Sequence, residues 1–324
     1  MDPAQFFAAS RVLIVAGKGG VGKSTVSAAL ARVAARAGLS TLIVEIEGKS
    51  GIGDLYGRPP FGYQEVELHP GGGTEAAADV RARLLTPDDA LLEYLEDHGL
   101  HRVTRRLLSG GALDVVATAA PGIRDILVLG KVKQLERAGV ADLIVLDAPA
   151  AGHAITFLRS ARGLLDAARV GPINTQATEV LEMLTDPARC QVVLVTLPEE
   201  TPVNELVETA YSLEDEVGVS LGPVVVNGLY PTLAGLDRDP VEVAAAASLD
   251  IDQEELEAMA AAARFRADRS RLQAAQVRRL ASTLPLPQLA LPFLFSSDLG
   301  PPELELLADA VTDGISALAT LPGP

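Results

Sequence analysis

The sequence predicts an α/β fold: a mostly parallel central sheet of about seven or eight strands, flanked by helices, with a helical subdomain. Three observations carry this expectation. Short apolar, β-branched runs recur along the 324 residues, most of them without polar/apolar alternation, as strands buried on both faces require. Helical patterns separate them, as crossovers in a parallel sheet must. The first run leads directly into a Gly-rich, Lys-bearing loop that opens a helix.

The elements follow in order. "RVLIVA" (11–16) is the first strand, "GKGGVGKST" (17–25) the loop, and "SAALARVAARAG" (27–38) a helix that stops at a glycine. "STLIVEI" (40–46) is the second strand. About 65 residues then precede the next apolar run, too many for a plain crossover. Within them "HPGGGTEAAADV" (69–80) reads as a mobile surface loop, and "TPDDALLEYLEDHG" (86–99) as a helix capped by Thr86. A helical subdomain is therefore expected at about 58–112 and 121–138, inserted in one domain spanning 1–324. "LDVVATA" (113–119), "DLIVLDA" (142–148), "QVVLVTL" (191–197), "GPVVVNG" (222–228) and "PQLALPF" (287–293) complete the strands. A further helical zone covers about 239–283, where Leu256, Met259 and Ala263 at helical spacing predict packing on the core.

Composition narrows the function. The net charge of −16 disfavours nucleic acid and anionic lipid as partners. The N-terminal "MDPAQFFAAS" lacks the pattern of a secretory signal, and no apolar run approaches the ~18 residues of a membrane span. A soluble, cytoplasmic protein is expected. The single cysteine, Cys190, excludes an internal disulfide or a Cys-based metal site and reads as a small buried hydrophobe.

Residues Gly17, Lys18, Gly19, Gly20, Val21, Gly22, Lys23, Ser24 and Thr25 have the spacing of a phosphate-binding loop, in the required position between strand and helix. The glycines let backbone N–H groups turn toward phosphate oxygens, and the helix N-terminus adds partial positive charge. Lys23 is expected at the β/γ-phosphates, Ser24 as a direct Mg²⁺ ligand, and Thr25 near the α-phosphate. Lys18, a second lysine at the loop's entrance, is placed to reach out of its own site. In a pair of chains facing each other, it would stabilise charge on the partner's nucleotide. The alternative for Lys18 is a solvated surface lysine.

"GKGGVGKST" resembles the deviant Walker A loop of the MinD/ParA/ArsA group of P-loop ATPases. "LDAPAAGHAITFL" (146–158), "APGIRDIL" (120–127) and "VVVNGLYP" (224–231) narrow the resemblance to ArsA-like and tail-anchored-protein-targeting ATPases, and the chain looks most like the actinobacterial ArsA-like anion-transporting ATPase proteins. The resemblance implies a P-loop NTPase fold, ATP and Mg²⁺ as ligands, and a homodimer or a heterodimer with a paralogue. Asp147 would orient Mg²⁺ through water. Pro149, Gly152 and His153 would form a switch that senses the γ-phosphate. Asn227 would hydrogen-bond adenine, unless it merely forms a turn, and Pro292 and Phe293 would wall the base. The family's Asp-Pro-Ala after the second strand is missing. Alignment on "GDLYG" puts Glu47 there, either to orient attacking water or as a solvated acid.

One cysteine does not suit an arsenite-responsive site, and neither the Cys-x-x-Cys zinc pair nor the Met-rich insertion of the tail-anchored-protein-targeting factor is present. The expected function is an ATP-binding and ATP-hydrolysing dimeric switch acting on an unknown client protein, without zinc, nucleic acid or direct membrane insertion. The alternative is a nucleotide-dependent assembly scaffold with little hydrolysis.

Overall fold

A computed structural model describes residues 1–46, 51–72, 77–97, 122–167 and 171–318. The chain order of elements is α1 (Pro3–Phe7), β1 (Val12–Gly17), α2 (Lys23–Arg36), β2 (Thr41–Ile46), α3 (Ile52–Leu55), β3 (Val66–His69), β4 (Val80–Leu85), α4 (Pro87–Asp97), α5 (Ile123–Ala138), β5 (Leu143–Ala150), α6 (Ala151–Ala167), α7 (Pro172–Thr185), β6 (Cys190–Thr196), α8 (Glu200–Ser212), β7 (Val224–Leu229), α9 (Pro240–Ala246), α10 (Gln253–Thr283), β8 (Gln288–Pro292) and α11 (Pro301–Ala317). A π-helical turn, Leu213–Val217, extends α8.

The sheet has eight strands in the order β3-β4-β2-β5-β1-β6-β7-β8. Only β3, at one edge, runs antiparallel to its neighbour. The central strand β1 is buried along its whole length, which explains why its sequence is apolar without alternation. Its residues divide between two cores. Val12, Ile14 and Ala16 pack with residues of α5, α6, α7 and α8 on one face. Leu13 and Val15 pack with α1, α2 and α11 on the other. Cys190, at the start of β6, is fully buried, and burial pushes its thiol up to about 12. Among the described residues no helix is long and apolar enough to cross a membrane.

The segment after β2 departs from the sequence expectation. Val66–His69 and Val80–Leu85 are strands of the sheet, with β4 directly beside β2. His69 and Val80 thus belong to strands rather than to a surface loop, and the described residues of 58–85 add strands to the sheet where a helical subdomain was expected. The reason the pattern was opaque is visible in "VRARLL": arginines occupy alternate positions of a buried strand. Arg83 stacks over the ring of Tyr63 and Arg81 bonds Asp79 and Glu65, so charges enter the sheet edge with partners. The helix expected at 86–99 is α4, and Thr86 caps it by accepting from Asp89 N at 3.1 Å. The strand expected at 113–119 lies outside the described residues. The 239–283 zone holds α9 and α10; Leu256 is buried, but Met259 points to solvent, so it does not pack on the core as its spacing suggested.

Candidate nucleotide site

Residues 17–22 join the end of β1 to α2 at the carboxyl edge of the sheet, where crevices beside the central strand form ligand sites in parallel α/β folds. Two glycines are demanded by geometry. A Cβ on Gly17 would lie 2.3 Å from the Val195 carbonyl oxygen, because β1 runs against β6 there. Gly22 holds φ +89° as the N-cap of α2, and a Cβ would lie 2.3 Å from Asn227 Nδ2. No side chain caps α2, so its first N–H groups are left for a ligand. Gly17→Ala is expected to destabilise the chain by about 2 kcal/mol or more, since the obstacle is backbone. It should also abolish nucleotide binding, as thermal unfolding with and without Mg·ATP would show.

Behind the loop, Ser24 Oγ donates to Asp147 Oδ2 at 2.6 Å and Ser27 Oγ to Asp147 Oδ1 at 3.2 Å. Register places Asp147 of β5 beside Val15 of β1 and Glu45 of β2. Burial pushes the Asp147 carboxyl up to about 6; the Ser24 hydrogen bond, Lys23 and the Ser27 hydrogen bond pull it down, and Glu45 adds to the rise. A hydroxyl and a carboxylate joined by one hydrogen bond, beside an open helix N-terminus, fit a hard divalent cation with oxygen ligands and a phosphate partner. Lys23 donates to the Lys18 carbonyl oxygen at 3.3 Å, so its ammonium lies along the loop.

Lys18 is not free in solvent. Its Nζ donates to Glu205 Oε1 of α8 at 2.5 Å, with both side chains about 40% exposed. Asn227, at the end of β7, donates from Nδ2 to the Val21 carbonyl oxygen at 2.9 Å and so braces the loop. Next to it Tyr230, Phe293 and Phe295 form a cluster with centroids 4.8–5.4 Å apart. The Arg266 guanidinium sits over Tyr230 and Phe295 at 4.4 and 4.7 Å. Buried Gln273 fixes the chain here by accepting from Tyr230 N and donating to the Gly228 oxygen.

The structure thus brings Gly17 to Thr25, Asp147, Asn227, Pro292 and Phe293 to one edge of the sheet. Pro149 is the penultimate residue of β5, and Gly152 and His153 lie in the first turn of α6, on the segment leaving Asp147. Glu47 lies outside the described residues. Sequence reasoning missed Glu205, Ser27, Glu45, Tyr230 and Arg266. Two of them had a signal. Ser27 follows Ser24 by three residues on one helical face, and Glu45 is an acid inside the apolar run "TLIVEI".

The comparisons agree with this geometry. A family model described as anion-transporting ATPase matches residues 10–169. ATPase BagA of Mycobacterium tuberculosis is 35% identical over 255 residues, covering 76% of this chain and 72% of the relative. The arsenical pump-driving ATPase of Acidiphilium multivorum is 28% identical over 243 residues, 68% of this chain and 39% of that one. ATPase get3 of Schizosaccharomyces japonicus is 27% identical over 177 residues, 52% of each chain. With a phosphate loop, a buried acid behind it and this eight-stranded sheet in common view, the chain belongs to the ArsA-like family of ATPases.

Proposed function

We propose that this protein binds and hydrolyses ATP with Mg²⁺ as a two-chain switch, and that its opening and closing acts on a client or partner protein. The observation that carries the reading is the Ser24–Asp147 hydrogen bond set behind the uncapped N-terminus of α2. The cation would be held by Ser24 directly and by Asp147 through water; when bound it neutralises charge on the phosphates. Lys23 and the loop amides orient the β- and γ-phosphates, and Thr25 adds a hydroxyl near the α-phosphate. Asn227 and the backbone at Pro292 and Phe293 hold adenine. Glu47 orients the attacking water, and Pro149, Gly152 and His153 form the segment that senses whether the γ-phosphate is present. Lys18 crosses to the nucleotide of the other chain, which is a second copy or a paralogue. The compartment is the cytoplasm.

The test is phosphate release from ATP by the purified full chain, with Mg²⁺ and with EDTA, alongside its mass by light scattering under ADP and under a non-hydrolysable ATP analogue. Mg²⁺-dependent release and a dimer favoured by the ATP analogue are expected. Tight ATP binding with no phosphate release leaves the assembly scaffold instead. A monomer that turns over ATP at an unchanged rate across protein concentrations overturns the two-chain reading.

A further inference from the structure

Between α10 and the segment that leaves β7 lies an open cleft of about 490 Å³, inside the range of about 300–1,000 Å³ that small-molecule sites occupy. It is on the face of the sheet away from α2. Leu229 and Val277, two of its walls, pack against the core shared with α5 to α8, whereas α2 belongs to the other core. None of its lining residues belongs to the phosphate loop or to Asn227, Pro292 and Phe293, the residues expected around the base.

The lining is apolar with one charge. Leu229, Leu233, Leu236, Ala274 and Val277 supply hydrocarbon. Leu233 is 52% exposed, a large apolar group left in water at the cleft's lip. Gln273 is already engaged, accepting from Tyr230 N at 2.9 Å and donating to the Gly228 oxygen at 3.1 Å. Arg278 is the one charged residue on the lining, and among the described residues it has no ion-pair or hydrogen-bond partner. The neighbouring arginines of α10 are engaged: Arg266 on the aromatic cluster, Arg269 with Glu199, Arg271 with Asp268 and Arg279 with the Glu200 carbonyl oxygen. Residues 264–279 hold six arginines against Asp268 alone, on a chain whose net charge is −16. Positive potential is therefore concentrated on this half of α10, where an anion repelled elsewhere is accepted.

A free guanidinium at one end of an apolar trough selects a ligand with an apolar body and one carboxylate. Ser270 and Arg278 mark the two ends of the stretch of α10 that lines the cleft. They stand ~12 Å apart along the helix, the length of an extended chain of about ten carbons. We propose that this cleft is a binding site for an amphipathic monocarboxylate, with the acid on Arg278 and the apolar body along Leu229, Leu233, Leu236 and Val277. Its occupancy is coupled to the nucleotide site through β7. Asn227 braces the phosphate loop at the Val21 oxygen, and Gln273 holds the backbone on both sides of Leu229, directly after it. A ligand packed on Leu229 and Leu233 restrains that segment in the arrangement that places Asn227. Acid and nucleotide must then tighten each other by the same factor. The coupling rests on the nucleotide binding proposed above; binding of the acid does not.

The chain has no tryptophan, so full-length Leu233→Trp reports occupancy by fluorescence without background. Decanoate, kept below its micelle-forming concentration and without nucleotide, should shift the emission to the blue and saturate. Decanol, which lacks the acid, and acetate, which lacks the apolar body, should each bind at least roughly ten-fold more weakly. Arg278→Gln in the same background should weaken decanoate by a similar factor and leave decanol unchanged. Ala274→Phe, which fills the trough, should remove both. Leu233, Ala274 and Arg278 are exposed, so folding is retained. Calorimetry with decanoate on the chain that keeps Leu233 shows that the reporter did not create the site. A non-hydrolysable ATP analogue should tighten decanoate several-fold. No saturable decanoate binding to the unaltered chain overturns the site, as do equal affinities for decanoate and decanol that Arg278→Gln leaves alone. Arg278-dependent binding that ignores the analogue, in a chain that binds the analogue, overturns the coupling. A chain that takes decanoate but no nucleotide overturns the nucleotide reading and leaves the cleft assigned.

Discussion

Lys18→Ala is expected to lower ATP turnover about 10²–10³-fold while ATP affinity changes by no more than a few-fold. The loss is the size found when one donor is removed from a site that stabilises developing charge. The affinity should survive because Lys23, the loop amides and Ser24 all remain. Measurement of turnover and of nucleotide affinity on the same preparation separates the two, and a variant with wild-type turnover would remove Lys18 from the chemistry. In the single chain, however, the ammonium rests on Glu205 rather than reaching outward. It must leave that carboxylate before it can serve another nucleotide. Both groups are about 40% exposed, so solvent screens the pair and it is worth only about 0.2–1 kcal/mol. Glu205→Gln should therefore raise turnover modestly, by roughly 1.5- to 5-fold, with the larger gain at low protein concentration. A fall in turnover in that variant would mean that Glu205 positions Lys18 for catalysis instead of holding it back.

The second large effect lies at Asp147. Its carboxyl is pushed from 3.8 to about 6, mainly by burial. A carboxyl raised in the folded state favours the protonated fold. Its unfavourable contribution is absent below about pH 4, grows between pH 4 and 6, and is complete above that. A shift of this size corresponds to on the order of 3 kcal/mol. Asp147→Asn should accordingly raise the unfolding midpoint of the nucleotide-free chain at pH 8, with the difference vanishing near pH 4. The same substitution should abolish Mg²⁺-dependent turnover, because an amide cannot orient the cation's water shell as a carboxylate does. Equal unfolding midpoints for the two proteins at pH 8 would show that the buried charge is already compensated. The site, in this account, holds a charge that is costly until its ligand arrives, a common exchange of stability for function.

How much of this was legible depended on how locally each feature is encoded. The phosphate loop was readable because strand, glycines, lysines and helix are contiguous: nothing distant is needed to recognise residues 17–25. The buried parallel strands were readable for a similar reason, since burial on both faces writes an uninterrupted apolar run. Strand β4 was not, because Arg81 and Arg83 break that run, and although Asp79 beside them pairs with Arg81, Glu65 and the Tyr63 ring come from an earlier segment of the chain. Glu205 was invisible for the same cause. It lies 187 residues from Lys18, on the outer part of an ordinary amphipathic helix, and no spacing rule connects the two. Asn227 was singled out as an adenine partner, but its contact with the Val21 carbonyl oxygen was not foreseen, since a side chain bonding a distant backbone leaves no trace in composition or periodicity.

The burial of Cys190 has a further consequence. A thiol with its proton held up to about 12 and no solvent-accessible surface presents no thiolate to an oxidant. As the chain has no other cysteine, peroxide or disulfide stress finds no sulfur handle of that kind by which to throttle the enzyme.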